Sequence, residues 1–176
     1  MRIVVFGSEK CKYCKKQVEA ISKTFDQSEW LYLDVFKNKE ALEIADYIDV
    51  DKLPTIVLLN SKMQKIFQKE GTMPCDEIFK ILNSQTTVIP FTKEASLKVS
   101  NGNKKFALLS YEPNFKVGDI VSATDYSGEA IGKLKITSIG KSLITEIKDK
   151  FGEEALNEYV DHGGRINSIY TVEFGG

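Results

Sequence analysis

No run of apolar residues in this 176-residue sequence approaches the roughly 18 that a membrane-spanning helix requires. The start, Met-Arg-Ile-Val-Val-Phe-Gly, passes straight into charged residues and does not read as a secretory leader. Membrane insertion and secretion are therefore not expected, and a cytoplasmic protein is. Charge of either sign is not in surplus: 24 Lys and Arg stand against 25 Asp and Glu. No global field then draws the protein to nucleic acid or acidic lipid, and any such binding must be local. Cysteine is scarce and odd in number, at three. Without a leader, that argues against a disulfide framework and for a reducing compartment. Internal repeats and low-complexity tracts are missing. What remains is 42% hydrophobic and 28% charged, a globular composition that excludes disordered and collagen-like classes. The length accommodates one large domain or two small ones.

Arg2 to Phe6 is a short β-branched apolar run closed by Gly7-Ser8, which predicts a buried strand. From Cys11 onward, Cys14, Val18, Ile21 and Phe25 recur at helical spacing, with Lys12, Lys15, Lys16, Glu19 and Lys23 off that stripe. Trp30 to Val35 predicts a second strand. Lys37 to Ile48 predicts a second helix through Ala41, Ile44, Ala45 and Ile48. After Leu53-Pro54-Thr55, the run Ile56 to Leu59 reads as a strand joined to Gln64–Gln68 by Asn60-Ser61-Lys62-Met63, a hairpin. Pro74 opens a last helix carrying Ile78, Phe79, Ile81 and Leu82. The predicted order is βαβαββα within residues 1–84.

The polar stretch from Asn83 to Thr87 has no apolar period, so a linker is placed at 85–88 between domains 1–84 and 89–176. In the second domain a helix over Thr92 to Ser100 ends at Asn101-Gly102. Strands are expected at Phe106–Leu109, Asp119–Thr124, Ala130–Ile139 and Ile169–Phe174, with helices at Ser142–Phe151 and Glu153–Tyr159. Short strands at close spacing suggest a small α+β barrel.

Cys11-Lys12-Tyr13-Cys14 stands where a buried strand turns into a helix. Unpaired amides and the positive end of the helix dipole there favour a thiolate, and Lys10, Lys12, Lys15 and Lys16 add positive potential. The second sulfur, one turn deeper, can attack a mixed disulfide formed on the first. Cys11 is then the nucleophile and Cys14 the resolving thiol. Two other readings of the pair stay open at this level. One is half of a zinc site, whose further ligands would have to be Cys75 and His162; the other is two ordinary helix cysteines. His162, beside Gly163-Gly164, reads as a surface histidine at a helix end. Pro54 either ends a loop or, through a cis bond, turns the preceding backbone outward, where an extended substrate could pair with it.

The strand, the Cys-x-x-Cys at a helix start, Leu53-Pro54-Thr55 before a strand, the hairpin and the Gly71 turn into the last helix resemble the thioredoxin and glutaredoxin superfamily. The resemblance covers residues 1 to about 84. It implies a thioredoxin-like fold, Cys11 as nucleophile, Cys14 as resolving thiol and Pro54 as cis. Leu53, Pro54 and Thr55, with Lys12 and Tyr13 between the cysteines, are the expected substrate contacts. Tyr13 and the compact element order are similar to glutaredoxins, while Lys12 stands where they usually have proline and Leu53 where they commonly have valine. The implied activity is thiol–disulfide exchange with disulfide-containing proteins. It needs no metal or organic cofactor beyond an external reductant, for which glutathione is a candidate. Cys75 is either a regulatory thiol or a small, partly buried filler. Residues 88–176, with Ile89-Pro90-Phe91-Thr92, Asn101 to Lys105, Lys116-Val117-Gly118-Asp119 and Gly132-Lys133-Leu134, resemble ASCH domains of the PUA-like superfamily. That implies a small β-barrel and RNA as a candidate partner. Five lysines between residues 86 and 118 (93, 98, 104, 105 and 116) against Glu94 and Glu112, with Tyr111 and Phe115 as stacking candidates, are the residues for it.

Overall fold

The structure is a computed structural model describing residues 1–83 and 87–175. The chain divides into two compact units, Met1–Leu82 and Asn83–Gly176. Within the expected linker, Gln85 and Thr86 lie outside the described residues. Val88 does not belong to a linker: it pairs with Ser122 as the first residue of a strand. Among the described residues no helix is long and apolar enough to cross a membrane.

The first unit is an α/β layer of seven principal elements: β1 (Ile3–Gly7), α1 (Lys12–Thr24), β2 (Trp30–Asp34), α2 (Lys39–Tyr47), β3 (Thr55–Leu59), β4 (Lys65–Glu70) and α3 (Cys75–Leu82). The sheet is mixed, in the order β2-β1-β3-β4, with β1 parallel to β2 and antiparallel to β3, and β3 antiparallel to β4. β1 and Thr55 to Leu58 of β3 are buried throughout, because both sheet faces are covered. Val4 and Phe6 pack with Val57, Val35 and Ala45 of α2 on one face. The alternate residues of β1 turn to the face where α1 and α3 lie.

Of the expected Cys14-Val18-Ile21-Phe25 stripe, Cys14, Ile21 and Phe25 are buried, and Gln17 and Ala20 join them on the buried side of α1. Val18 is half-buried, and Phe25 caps the end of the helix. A glutamine enters the core because its amide is fully used: Nε2 donates to Met73 O at 2.9 Å and Oε1 accepts from Met73 N at 2.6 Å. The segment before α3 is thereby tied to α1. Pro74 precedes that helix, its carbonyl accepting from Ile78 N at 3.1 Å.

The second unit contains β5 (Val88–Phe91), α4 (Lys93–Ser100), β6 (Phe106–Leu109), β7 (Ile120–Asp125), β8 (Ala130–Ser142), α5 (Ile144–Phe151), α6 (Glu153–Asp161) and β9 (Ile169–Gly175). One five-stranded sheet, ordered β5-β7-β8-β9-β6, is parallel between β5 and β7 and antiparallel elsewhere. Among the described residues its edge strands β5 and β6 do not pair, so the sheet is a curled half-barrel that does not close. The long β8 serves both neighbours, pairing β7 through its first half and β9 through its second. β5 was not expected as a strand. Pro90 lies within it, and an edge strand tolerates the missing donor. Ile89, Leu109, Ile136 and Val172 lie in the core of this unit, with Ala95 and Val99 of α4 packed among them. Thr92 Oγ1 caps α4 by accepting from Ala95 N at 3.1 Å.

Candidate functional site

The register of the first sheet gathers four chain segments at one end. β1 and β2 run parallel with Gly7 opposite Asp34, while Phe6 pairs with Thr55 and Thr55 with Glu70. The Ser8–Cys11 loop, the Asp34–Lys37 turn, Leu53-Pro54 and the Glu70-Gly71 turn therefore emerge side by side. The first two are tied together. Asp34 accepts from Glu9 N at 3.0 Å, from Phe36 N at 2.9 Å and from Lys37 N at 3.2 Å, and Lys37 forms an ion pair with Glu9. Burial tends to raise the Asp34 carboxyl, but those amides and Lys37 outweigh it and hold it below the ordinary value.

Cys11 occupies the N-cap of α1 in an extended conformation, and its sulfur accepts from Cys14 N at 3.1 Å. The two cysteines are joined in a disulfide, their Cα atoms 5.2 Å apart. Cys11 is half-exposed; Cys14 is 1% exposed. Once the bond is opened, the amide that faces the Cys11 sulfur favours negative charge on it. Cys14 can lie so close to the sheet because residue 7 is glycine. A Cβ there would stand 3.2 Å from Cys14 Sγ and 2.7 Å from Cε2 of Tyr32. Tyr32 thus lines the inner side of the site, its phenol pushed up by burial and then by the carboxylates of Asp34 and Glu9.

Lys12 is exposed and Tyr13 is 62% exposed, both on the outer side of the pair. The Leu53–Pro54 peptide is cis, Leu53 is half-buried, and Pro54 and Thr55 are buried. Thr55 Oγ1 donates to Lys52 O at 2.6 Å, and Pro54 O accepts from Gly71 N at 2.7 Å. The carbonyl of Pro54 is thus already used, which a substrate pairing there would have to respect.

Cys75 is fully buried at the start of α3, and burial pushes its thiol up to about 12. The partly buried filler expected there is therefore a fully enclosed one. The segment before its helix is clamped to α1 through Met73 and Gln17, and Cys75 itself has no exposed surface. His162 caps α6, with Nδ1 2.6 Å from Glu158 O. Among the described residues no group of three or more His, Cys, Asp or Glu is arranged to hold a metal ion.

Of the second-unit lysines expected to meet RNA, Lys98 and Lys104 are held in ion pairs. Lys98 pairs with Glu94 at 3.0 Å and Glu154 at 3.6 Å, and Lys104 with Glu158 at 3.0 Å. Phe115 is buried in the core and Tyr111 packs against it, so neither is presented as a free stacking platform. Lys104, Lys105 and Lys133 line a cavity of about 230 Å³ above Leu134 and Phe174. The residues that sequence reasoning missed are Gly7, Gln17, Tyr32 and Asp34. Only Gly7 carried a signal, as a glycine closing the strand that leads to the cysteines. Comparison with family models and with curated proteins returns no match.

Proposed function

We propose that the chain is a thiol–disulfide oxidoreductase whose first unit has the thioredoxin-like architecture and whose second is a PUA-like domain that positions the first or its substrate. One observation carries the reading. Two sulfurs three residues apart span the first turn of a helix, the outer one half-exposed and facing an amide, the inner one buried. Such a pair can cycle. The Cys11 thiolate attacks a substrate disulfide, forms a mixed disulfide and releases one substrate sulfur, which takes up a proton. The Cys14 thiolate then attacks Cys11, the Cys11–Cys14 bond forms, and the second substrate sulfur leaves as a thiol. Substrate gains two electrons and two protons, and the protein dithiol loses them. An external thiol reductant, a small one such as glutathione or a dithiol protein, restores the cycle. In this reading Lys12, Tyr13, Leu53, Pro54 and Thr55 contact substrate. The mixed sheet with helices on both faces, the shared end of its strands and the cis peptide before β3 support the thioredoxin-like assignment. RNA binding by the second unit is the weaker reading, since Lys98 and Lys104 are already neutralised by glutamates.

The test is to trap the intermediate. Cys14→Ser should accumulate a mixed disulfide on Cys11 with its partner, and in the reduced wild type Cys11 should alkylate at pH 6 faster than an unstructured cysteine, whose pKa is about 8.5. No trapped species, together with an alkylation rate equal to that of a free cysteine, would refute the proposal.

A further inference from the structure

We infer that the disulfide reduced by Cys11 is carried on an acidic protein segment. The inference rests on the redox reading above and adds the charge of the substrate to it. Four exposed lysines, Lys10, Lys12, Lys15 and Lys16, surround Cys11. Lys12, Lys15 and Lys16 are separated by three and four residues along α1 and share one helix face. Glu19 is the one acidic residue that continues this face among the next residues of α1, and Glu9, ahead of Cys11, is held by Lys37.

Elsewhere in the first unit Lys37, Lys39 and Lys52 pair with Glu9, Glu43 and Glu70, while Lys62, Lys65 and Lys69, dispersed over the hairpin, are in no ion pair among the described residues; what sets the four apart is that they crowd around one sulfur. Among the described residues none of the four lysines around Cys11 is in an ion pair. Their placement also works against the helix. The first turn of α1 contains no acidic residue, and cations there oppose the helix dipole while like charges three and four apart repel. Folding gains nothing from this arrangement, whereas an acidic segment arriving at the sulfur relieves it. A cationic collar also raises the local concentration and encounter rate of an anionic partner. The occupant must bring a sulfur to Cys11, which favours an acidic protein over nucleic acid.

The full chain, reduced beforehand, is mixed with three substrates: a peptide disulfide flanked by glutamates, the same peptide flanked by lysines, and 2-hydroxyethyl disulfide. Single-turnover rates are each normalised to the rate with a small uncharged dithiol. At low salt the glutamate peptide should react about tenfold faster than the lysine peptide. That ratio should fall towards one at about 1 M salt, where the screening length is about 3 Å. In Lys15→Glu/Lys16→Glu the ratio should drop several-fold. Because both peptides meet the same protein, any general loss of activity cancels. Equal normalised rates in the wild type at low salt, or a ratio untouched by the double substitution, would overturn the inference while leaving the redox reading intact. Equal rates accompanied by salt-sensitive retention of single-stranded RNA that the double variant loses would reassign the collar to nucleic acid and overturn it too. If the wild type reduces none of the three, the redox reading falls and takes the inference with it.

Discussion

Gly7→Ala is the substitution that most directly joins the fold to the site. Gly7 has no unusual backbone conformation to defend, since its φ is not in the left-handed region where the other constrained glycines lie. The cost of alanine is therefore steric. The added methyl would lie 2.7 Å from Cε2 of Tyr32, closer than carbon atoms tolerate, and 3.1 Å from Cys14 Cβ. Neither neighbour is the loose end of a flexible chain: one is the edge of a ring packed on the sheet, the other the first carbon of a buried cysteine. Overpacking of this kind costs about 1–3 kcal/mol. For a unit of this size, at about 4–8 °C per kcal/mol, that lowers its unfolding temperature by about 4–24 °C. Trp30, the one tryptophan of the chain, begins β2 beside β1 and is nearly buried, so its fluorescence reports this unit. The design has an internal control. Tyr32→Phe keeps the offending ring edge and should not relieve the alanine, whereas Tyr32→Val removes it and should couple with Gly7→Ala by about 0.5–3 kcal/mol. A Gly7→Ala protein as stable as wild type, or strict additivity with Tyr32→Val, would refute the account of how Cys14 reaches the sheet.

Three further outcomes are expected. Gln17→Leu should lower stability by about 2–4 kcal/mol, because the buried N–H and C=O of Met73 lose their partners together; an unchanged urea midpoint would count against that clamp. With its thiol pushed up to about 12 by burial, Cys75 of the reduced protein should resist iodoacetamide at pH 8 until the unit unfolds, as read by mass spectrometry of the labelled peptides; rapid labelling in the native state would contradict its enclosure. Asp34→Asn should destabilise the first unit at neutral pH. The native Asp34 carboxyl titrates below its unfolded value, so its contribution is present above the ordinary carboxylate range and is lost as pH falls through the native pKa. The gap in urea midpoint between wild type and Asp34→Asn should accordingly close on acidification, and a gap that widened would reverse the assigned sign.

What could be read from residue order was whatever periodicity and turn chemistry encode. Ile3 to Phe6 and Ile56 to Leu59 announced buried strands by their unbroken apolar runs. Asn101-Gly102 announced a helix stop that Gly102 executes at φ +76°. Other features depend on partners far along the chain. Gln17 has no place in the apolar stripe of α1; it can be buried because Met73, 56 residues away, offers both a donor and an acceptor. Val18, chosen for its hydrophobicity, is only half-buried. β5 escaped notice because Pro90 interrupts the pattern of a strand, and only its edge position opposite β7 makes the proline harmless.

The site itself was legible in part for the same reason. Cys11 and Cys14 are neighbours in sequence, so their chemistry could be argued from spacing. Tyr32 and Asp34 reach them only through strand pairing, by the parallel register that sets Gly7 against Asp34. That register has a chemical consequence. No carboxylate stands on β1 beneath Cys14, and the nearest one by pairing, Asp34, is already committed to three backbone amides and lies close to Lys37. It is therefore a fastener for the Cys11 loop and a poor acceptor for the Cys14 proton. Removing it should loosen the loop, which is why Asp34→Asn is expected to act on stability first. The arrangement places rigidity in the sheet end and its tied turns, and leaves half-exposed Cys11 beside the exposed Tyr13, the surrounding lysines and, on the tied turn, Phe36, as the surface an incoming disulfide would meet.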